Sequence, residues 1–333
     1  MAERIKVVGM TSRSAETREK AAAAFRTPTF ESVAELLEQR PDFVLVAVNR
    51  SVVDQLVRQV VAAGARVLVE TPPAVDVEGL RSLWEDVGAS GLVQVAEQSI
   101  YMPSHDAKLA AVRKGLIGTA TSVHVSSNHG YHAVAIMRAF LDVGFDPVTV
   151  RASVFSAPIV HPLIYDEWKA DLTPRPSKTV IATLDFGSVM GLYDFTHLQW
   201  FNPFRHRRLV VRGTAGEIDG DSVLRLNGRS VVPSSFIRRN AGIDMNHEGF
   251  DLDHISLDGE IRFRNPYLGH RVSDEDIAAA RLLDAMVDWV RGDGPEPYPL
   301  ASGCQDHLVA LAIDEAARTG ETVTTPREAW AGA

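Results

Sequence analysis

The chain has 333 residues, of which 45% are hydrophobic and 23% charged, and its formal net charge is −9. That length suffices for two domains with cores of their own, and the charge argues against nucleic acid or an anionic membrane as a partner. No apolar run approaches the length of a membrane span, and the single cysteine, Cys304, fits a reducing cytosol. We expect a cytoplasmic protein with a small-molecule partner.

The first hundred residues alternate short apolar runs with helical segments. Strands are predicted at 5–10, 43–48, 67–69 and 92–96, and helices at 15–25, 32–39, 51–63 and 77–87. Ser14 and Ser32 are expected as N-caps, and Glu35 completes a capping box with Ser32. Strands that alternate with helices predict a Rossmann-like α/β domain with a parallel sheet over residues 1–98.

The rest of the chain is richer in strands. Helices are predicted at 103–114, 132–141, 274–291 and 305–319, and strands at 120–126, 147–155, 180–186, 189–195, 208–212 and 223–226. Strands that follow one another without helices predict an α+β domain over residues 99–333, with a large, mostly antiparallel sheet. Residues 157–178 carry four prolines and are expected to form a long loop. Residues 238–255, with Asn246 and His247, are expected to be irregular.

Polar residues follow three of the predicted N-terminal strands. Because parallel sheets bind ligands beyond the carboxyl ends of their strands, we expect the active cleft there. Glu70 has two interpretations, as an anchor for substrate or ribose and as a carboxylate that holds a neighbouring helix, and Glu97 has the same two. The candidate binding residues at these ends are Asn49, Arg50, Glu70, Pro72 and Glu97.

Five short segments, in order, resemble the glucose–fructose oxidoreductase / inositol dehydrogenase family (the Gfo/Idh/MocA group). They are Pro41 to Val48, Ala63 to Ala74, Gly115 to Gly118, Arg208 to Ile218 and Gly320 to Val323. The resemblance implies a nicotinamide cofactor on a Rossmann domain and hydride transfer to or from a sugar, polyol or related small molecule. It also implies a homodimer or higher oligomer formed through the C-terminal sheet.

The resemblance fails at the family's Gly-rich loop. No G-x-G-x-x-G occurs near the start, and residues 5–10 match the family's second strand. Three explanations stay open: the true start lies upstream of Met1, the remaining sheet closes up, or another chain fills the gap. Ser12, Arg13 and Ser14 suit the 2′-phosphate of NADP, or they form a helix cap with an exposed arginine. NAD(P) binding is expected to be weakened by the missing loop.

The family's catalytic positions are also altered. Thr71 stands where the resemblance has the lysine of Glu-Lys-Pro, and threonine is no acid near neutral pH. Asn128 replaces an aspartate four residues before His132, which is retained. His132 is either a general acid or base or a histidine bonded to the helix N-terminus, and Tyr131 either donates to substrate or packs a domain junction.

His129 and His132 have a spacing compatible with two metal ligands, but no third ligand is evident, so no metal is expected. The aromatic segment Tyr193 to Phe201 is interpreted as a dimer surface.

Three functions remain open. The first is an NAD(P)-dependent oxidoreductase of this family with a degenerate site. The second is a redox-neutral enzyme on the same scaffold that uses His132, Tyr131 and Glu70. The third is a non-catalytic binding or regulatory subunit that pairs with a complete homologue.

Overall fold

The computed structural model describes residues 4–165, 167–242 and 249–332. Two compact units divide the chain, Met1–Glu97 with Ala279–Cys304, and Gln98–Ala278 with Gln305–Ala333. The predicted domain boundary near residue 98 lies beside the first division. Ala279–Cys304 belongs to the first unit, although the sequence assigned it to the second domain.

The first unit contains parallel strands and the helices that connect them. The elements are β1 (Met10–Thr11), α1 (Ala15–Phe25), β2 (Thr29–Phe30), α2 (Val33–Leu37), β3 (Phe43–Val46), α3 (Val53–Ala62), β4 (Arg66–Val69), α4 (Val77–Val87) and β5 (Val93–Val95). β1 pairs with β2, and β3, β4 and β5 form a second parallel sheet in that order. Among the described residues no strand pairing joins the two sheets, and the three explanations for the missing loop stay open.

The helices of the first unit are unequally packed. Asp76 caps α4, and its carboxylate accepts a hydrogen bond from Gly79 N at 2.8 Å; Leu80 and Leu83 of this helix are fully buried. Burying one such side chain contributes about 1.5–3 kcal/mol. α1 has its predicted cap at Ser14 but buries none of its residues. One half of the predicted capping box is present, since Glu35 N donates to Ser32 Oγ at 3.2 Å, while the Glu35 carboxylate accepts from Glu31 N at 3.2 Å.

The second unit is built on a nine-stranded sheet. Its elements begin with α5 (Pro103–Arg113), β6 (Ala120–Ser126), α6 (Gly130–Leu141), β7 (Thr149–Ile159), β8 (Leu163–Ile164), β9 (Glu167–Trp168), β10 (Arg175–Asp185), β11 (Met190–Thr196), β12 (Arg208–Gly213), β13 (Gly216–Asp219), β14 (Ser222–Asn227) and β15 (Ser230–Ser235). They continue with β16 (Ile237–Ala241), β17 (Asp251–Leu257), β18 (Glu260–Arg264), α7 (Asp274–Arg291), α8 (Leu300–Thr319) and β19 (Val323–Thr324). The division between the two units passes through α7 and α8.

The strand order of the large sheet is β15-β14-β13-β12-β6-β11-β10-β7-β19. Only the pairing of β11 with β6 is parallel; the other neighbours are antiparallel. The α/β fold with a mostly antiparallel C-terminal sheet is therefore confirmed. A separate antiparallel sheet has the order β16-β17-β18.

The two faces of the large sheet differ in burial. Val123 and Val125 of β6 are fully buried on the face that α6 covers. Close approach of α6 requires Gly191, since a Cβ there would lie 2.7 Å from Met137 Sδ. Strand alternation places His124 on the opposite face, which we call the outer face.

Two predicted irregular regions are partly strands. β7 continues to Ile159, β10 begins at Arg175, and the short strands β8 and β9 lie between them, so the expected loop at 157–178 is only partly correct. Pro158 and Pro176 lie opposite each other in the β7–β10 register, so the missing N–H donors fall at one place in the ladder. β16 and β17 occupy much of 238–255, while Asn246 and His247 lie outside the described residues.

The first predicted strand differs from the expectation, because only Met10 of residues 5–10 lies in β1, which extends to Thr11. None of the helices in the described ranges is long and apolar enough to cross a membrane.

Candidate functional site

The N-terminal turn of α6 carries the main predicted catalytic residues. β6 ends at Ser126 and α6 begins at Gly130, so Asn128 lies in the connection between a buried strand and a helix. His132 lies in the first turn, and its backbone N–H donates to His129 O at 3.2 Å. The structure thus brings Asn128, Tyr131 and His132 together at one helix end, as expected from the sequence.

The backbone of this turn is fixed by Tyr193 of β11. Gly130 N donates to the Tyr193 hydroxyl at 3.2 Å. Burial raises the pKa of Tyr193 to about 12, and the hydrogen bond from Gly130 only partly opposes that shift. Tyr193 is therefore a neutral anchor at every physiological pH. Sequence reasoning placed it at an interface instead.

Three imidazoles and a phenol meet at this helix end. The ring centres of Tyr131 and His132 lie 4.5 Å apart, and those of His129 and His132 lie 5.2 Å apart. Tyr131 is buried and also contacts His307 of α8, at 5.7 Å between ring centres. His307 was missed because α8 reads as an ordinary helix. A buried histidine on such a helix was the only available signal.

Asn128 has one hydrogen bond that orients its side chain. Its Nδ2 donates to Ser99 Oγ at 3.4 Å. An amide also carries an acceptor oxygen, so Asn128 can hold a substrate hydroxyl but cannot take its proton.

The aromatic segment after β11 turns inward. Tyr193 and Phe195 are each only 5% exposed, so the interpretation of these two rings as a dimer surface is wrong. Trp200 lies 4.8 Å from His129 between ring centres and stacks on Phe195 at 5.1 Å. The segment therefore lines the helix end that carries His132.

In the first unit, Glu70, Thr71 and Pro72 directly follow β4. Glu70 N donates to Val46 O at 2.9 Å, and Thr71 N donates to Glu70 Oε2 at 3.1 Å. The Thr71–Pro72 peptide bond is cis. Glu70 is exposed and Thr71 half-buried, whereas Glu97, beyond the end of β5, is almost completely buried.

The other candidate residues of the first unit have local roles. Asn49 Oδ1 accepts hydrogen bonds from Ser51 N and Ser51 Oγ, both at 3.0 Å, and Arg50 is exposed. Ser14 Oγ accepts from Thr17 N at 3.3 Å as the cap of α1. Arg13 is exposed beside it.

The backbone of Ser12 is held by a hydrogen bond. Ser12 O accepts a hydrogen bond from Arg18 Nη1 at 2.6 Å. The structure of Ser12, Arg13 and Ser14 therefore agrees with the helix-cap interpretation. A contact between these residues and a phosphate stays a prediction.

A second polar cluster lies on the outer face of the large sheet. His124 Nε2 lies 2.7 Å from Asp194 Oδ2, and Ser126 Oγ donates to Asp194 Oδ1. Burial by itself raises the pKa of Asp194. The hydrogen bonds from His124 and Ser126, with the charges of His124 and Arg208, outweigh burial and hold that pKa below 3.8.

A comparison with protein families finds a match for the N-terminal part. Its first 98 residues match the family described as an oxidoreductase family with an NAD-binding Rossmann fold, GFO_IDH_MocA. Residues 1–98 are thus similar to the Gfo/Idh/MocA oxidoreductases. The resemblance stated from the sequence is therefore confirmed. No curated protein matches the chain.

Solved structures extend the likeness to nearly the whole chain. An oxidoreductase from Agrobacterium radiobacter in complex with NAD+, L-tartaric acid and magnesium has a TM-score of 0.69 at 14% identity, with 95% of this chain and 90% of that chain covered. Levoglucosan dehydrogenase in complex with NADH and levoglucosan has a TM-score of 0.68 at 15% identity, with 96% and 90% covered.

A third solved structure, UDP-N-acetylglucosamine 3-dehydrogenase from Acidithiobacillus ferrooxidans, has a TM-score of 0.64 at 14% identity, with 94% and 90% covered. At these identities the likeness establishes the fold, and the activity has to be argued from the site.

The Gfo/Idh/MocA fold implies a dinucleotide, whose pyrophosphate normally lies over a glycine-rich turn at a helix N-terminus. The turn between β1 and α1 is Ser12-Arg13-Ser14 and contains no glycine. Gly9, just before β1, accommodates packing, because a Cβ there would lie 2.2 Å from the Phe30 ring. By the resemblance this turn follows the family's second strand, so the other helix starts matter too, and none of them in the described residues carries a glycine-rich turn that would fit the pyrophosphate.

A metal was not expected from the sequence. Within the described part of the chain, no group of three or more His, Cys, Asp or Glu side chains is placed to hold one.

Proposed function

We propose that this protein is an oxidoreductase that acts on a sugar, polyol or related small molecule, with NAD(P) as its hydride partner. The family match of residues 1–98 and the fold-level likeness to dehydrogenases support this reaction class. The observation that carries the proposal is His132, a half-buried imidazole in the helix turn where the family resemblance expects the catalytic histidine.

His132 takes the proton of the substrate hydroxyl during oxidation and returns it during reduction. An imidazole can both accept and return a proton near neutral pH. General acid–base catalysis of this kind typically contributes about 10²–10⁴-fold in rate.

Asn128 and Tyr131 position the substrate. Asn128 binds a hydroxyl without changing its protonation, because an amide does not ionise. Tyr131 is buried beside His132, where its ring limits the orientations of the imidazole. In the first unit, Thr71 offers a hydroxyl that hydrogen-bonds but does not ionise near neutral pH.

We propose that this protein binds the nucleotide only weakly. The candidate contacts for NAD(P) are Ser12, Arg13, Ser14, Asn49, Arg50, Glu70, Pro72 and Glu97. Because the described residues do not fit the pyrophosphate, these contacts act without the main anchor of the dinucleotide. We therefore expect dissociation constants for NADH and NADPH about as high as 1 mM, which corresponds to only about 4 kcal/mol of binding free energy.

A redox-neutral enzyme on the same scaffold is the second candidate. The specific observation in its favour is the set of residues present at three places. Thr71 and Asn128 do not ionise, and the turn after β1 contains no glycine. His132 and Tyr131 would then act on a polar small molecule without nucleotide.

The outer face of the large sheet is the proposed surface for pairing two copies. Leu224 and Leu226 of β14 are 50% and 57% exposed, and Ile181 of β10 is also exposed. Exposed apolar side chains on one sheet face are typical of an interface. The chain is accordingly expected to form a homodimer or a higher oligomer.

Calorimetric titration with NADH and NADPH, followed by a sugar and polyol panel with and without nucleotide, separates the candidates. Substrate conversion that requires millimolar nucleotide supports the oxidoreductase. Conversion without nucleotide, lost in His132→Ala, favours the redox-neutral enzyme. Absence of both, together with tight capture of a complete homologue, supports the non-catalytic subunit.

A further inference from the structure

We infer that Trp200 selects ring-shaped substrates at the helix end that carries His132, an inference that rests on the proposed function. Three rings form the surface concerned, which we call the aromatic wall: Phe195, Trp200 and His129. Phe195 is buried and stacks on Trp200 with an interplanar angle of 23°. Trp200 and His129 are only half-buried, so these two rings of the wall are partly accessible while Phe195 is buried.

The wall is held rigidly by the residue before Trp200. Gln199 is almost completely buried, its Oε1 accepts from Thr196 N at 3.0 Å, and its Nε2 donates to Ser126 O at 2.5 Å. Both ends of the amide are therefore used to fix the short helical turn Gln199–Phe201. A surface that is ordered before binding loses little conformational entropy when a ligand lies on it.

The residue after this turn is fixed as well. Asn202 Nδ2 donates to Val160 O at 2.9 Å, and Arg207 Nη2 donates to Trp200 O at 3.2 Å. Trp200 thus lies between two anchored neighbours, and its own carbonyl is hydrogen-bonded. This anchoring holds the backbone of Trp200 in place before a ligand binds, as a preorganised binding surface requires.

The wall lies close to the proposed base. The ring centres of Trp200 and His129 are 4.8 Å apart and those of His129 and His132 are 5.2 Å apart, so Trp200 and His132 are at most 10.0 Å apart. One six-membered ring with its hydroxyls can therefore lie on the wall and present a hydroxyl to His132.

The chemistry of the wall favours a ring over an open chain. A pyranose or cyclitol has flat C–H faces that aromatic rings cover, while its hydroxyls point outward from the edge. An open-chain polyol carries the same hydroxyls but no fixed apolar face, and it loses more rotamer freedom when it is ordered. Trp200 therefore adds affinity for rings that an open chain cannot use.

The test compares myo-inositol and levoglucosan with D-glucitol, an open chain with the same six hydroxyls as myo-inositol. Binding is measured by calorimetry for the wild type, Trp200→Leu, Trp200→Phe and Trp168→Ala. Leucine keeps apolar volume without a flat face, and phenylalanine keeps a smaller flat face. Trp168, which is 71% exposed in the same unit, provides the matched control.

The wild type is expected to bind at least one ring about tenfold more tightly than D-glucitol, which is about 1.4 kcal/mol. Trp200→Leu should lose most of that preference by weakening ring binding alone, whereas Trp200→Phe should keep part of it and Trp168→Ala all of it. Ring binding that is unchanged in Trp200→Leu overturns the inference, as does equal binding of rings and D-glucitol by the wild type. Equal binding leaves the proposed function standing, whereas absence of binding of all three probes contradicts both.

Discussion

His132 is the residue on which the proposed chemistry depends most. His132→Ala should lower the turnover number about 10²–10⁴-fold, because the substrate hydroxyl loses its proton acceptor. Steady-state rates on the converted substrate measure the effect. His206→Ala, which removes an exposed histidine of the same unit, is the control and should leave the rate unchanged. A His132→Ala variant with the rate of the wild type would remove the residue from the mechanism.

Tyr193 is the residue that holds the helix turn in place. Tyr193→Phe deletes the acceptor for Gly130 N and should cost about 1 kcal/mol in the free energy of unfolding. It should also reduce turnover, because the turn carries His132. Tyr193 ionises near 10.0 in the unfolded chain but near 12 in the folded chain, so its contribution is present below pH 10 and lost as pH rises through 12.

Denaturant titrations across this alkaline range test the second part of that prediction. Stability of the wild type should fall more steeply with rising pH than that of Tyr193→Phe. Parallel curves for the two proteins would mean that the Tyr193 hydroxyl is not the group responsible.

Single residues were partly predictable from the sequence. The position of His132 next to Asn128 and Tyr131 followed from adjacency along the chain, so their proximity needed no fold. His307, Tyr193 and Trp200 join them from distant segments, and only the pairing of β11 with β6 and the packing of α8 bring these rings to the same turn. No local pattern encodes such contacts.

At the scale of elements, the outer-face cluster ties β6 to β11. The pKa of Asp194 is lowered, so its contribution is present above the unfolded value of 3.8 and is lost as pH falls through the lower folded value. Asp194→Asn should therefore destabilise the protein near neutral pH and have a smaller effect at about pH 3. Urea midpoints at both pH values measure this difference, and an equal effect at both would contradict it.

Helices were predicted more accurately than strands. α1, α4 and α7 have the predicted bounds, since their caps and apolar spacing are local signals. β13, β15, β16, β17 and β18 were missed. β15 and β16 have largely exposed residues and little apolar alternation, and their pairing partners fix them as strands. The prolines of β7 and β10 led to the prediction of a loop, although they lie opposite each other in a regular strand pairing.

At the scale of the whole molecule, pairing through the outer face is expected to control the oligomeric state. Leu224→Asp combined with Leu226→Asp should convert the dimer into a monomer, because it introduces charge where apolar surface is buried. Light scattering after gel filtration measures the mass. Leu172→Asp changes another exposed leucine outside that sheet and should leave the dimer intact. A wild type that is monomeric at all concentrations would rule out the interface.

Nucleotide-dependent turnover tests the proposed function most directly. The protein is mixed with a ring polyol or sugar and increasing NAD+ or NADP+, and the absorbance of the reduced nicotinamide is followed for the wild type and His132→Ala. We predict that the wild-type rate saturates only at about millimolar nucleotide, as expected for a dinucleotide site that does not fit the pyrophosphate, and that His132→Ala is at least about 10²-fold slower. Equal rates for the two proteins, or no reduced nicotinamide from the wild type at any nucleotide concentration, would contradict the proposal.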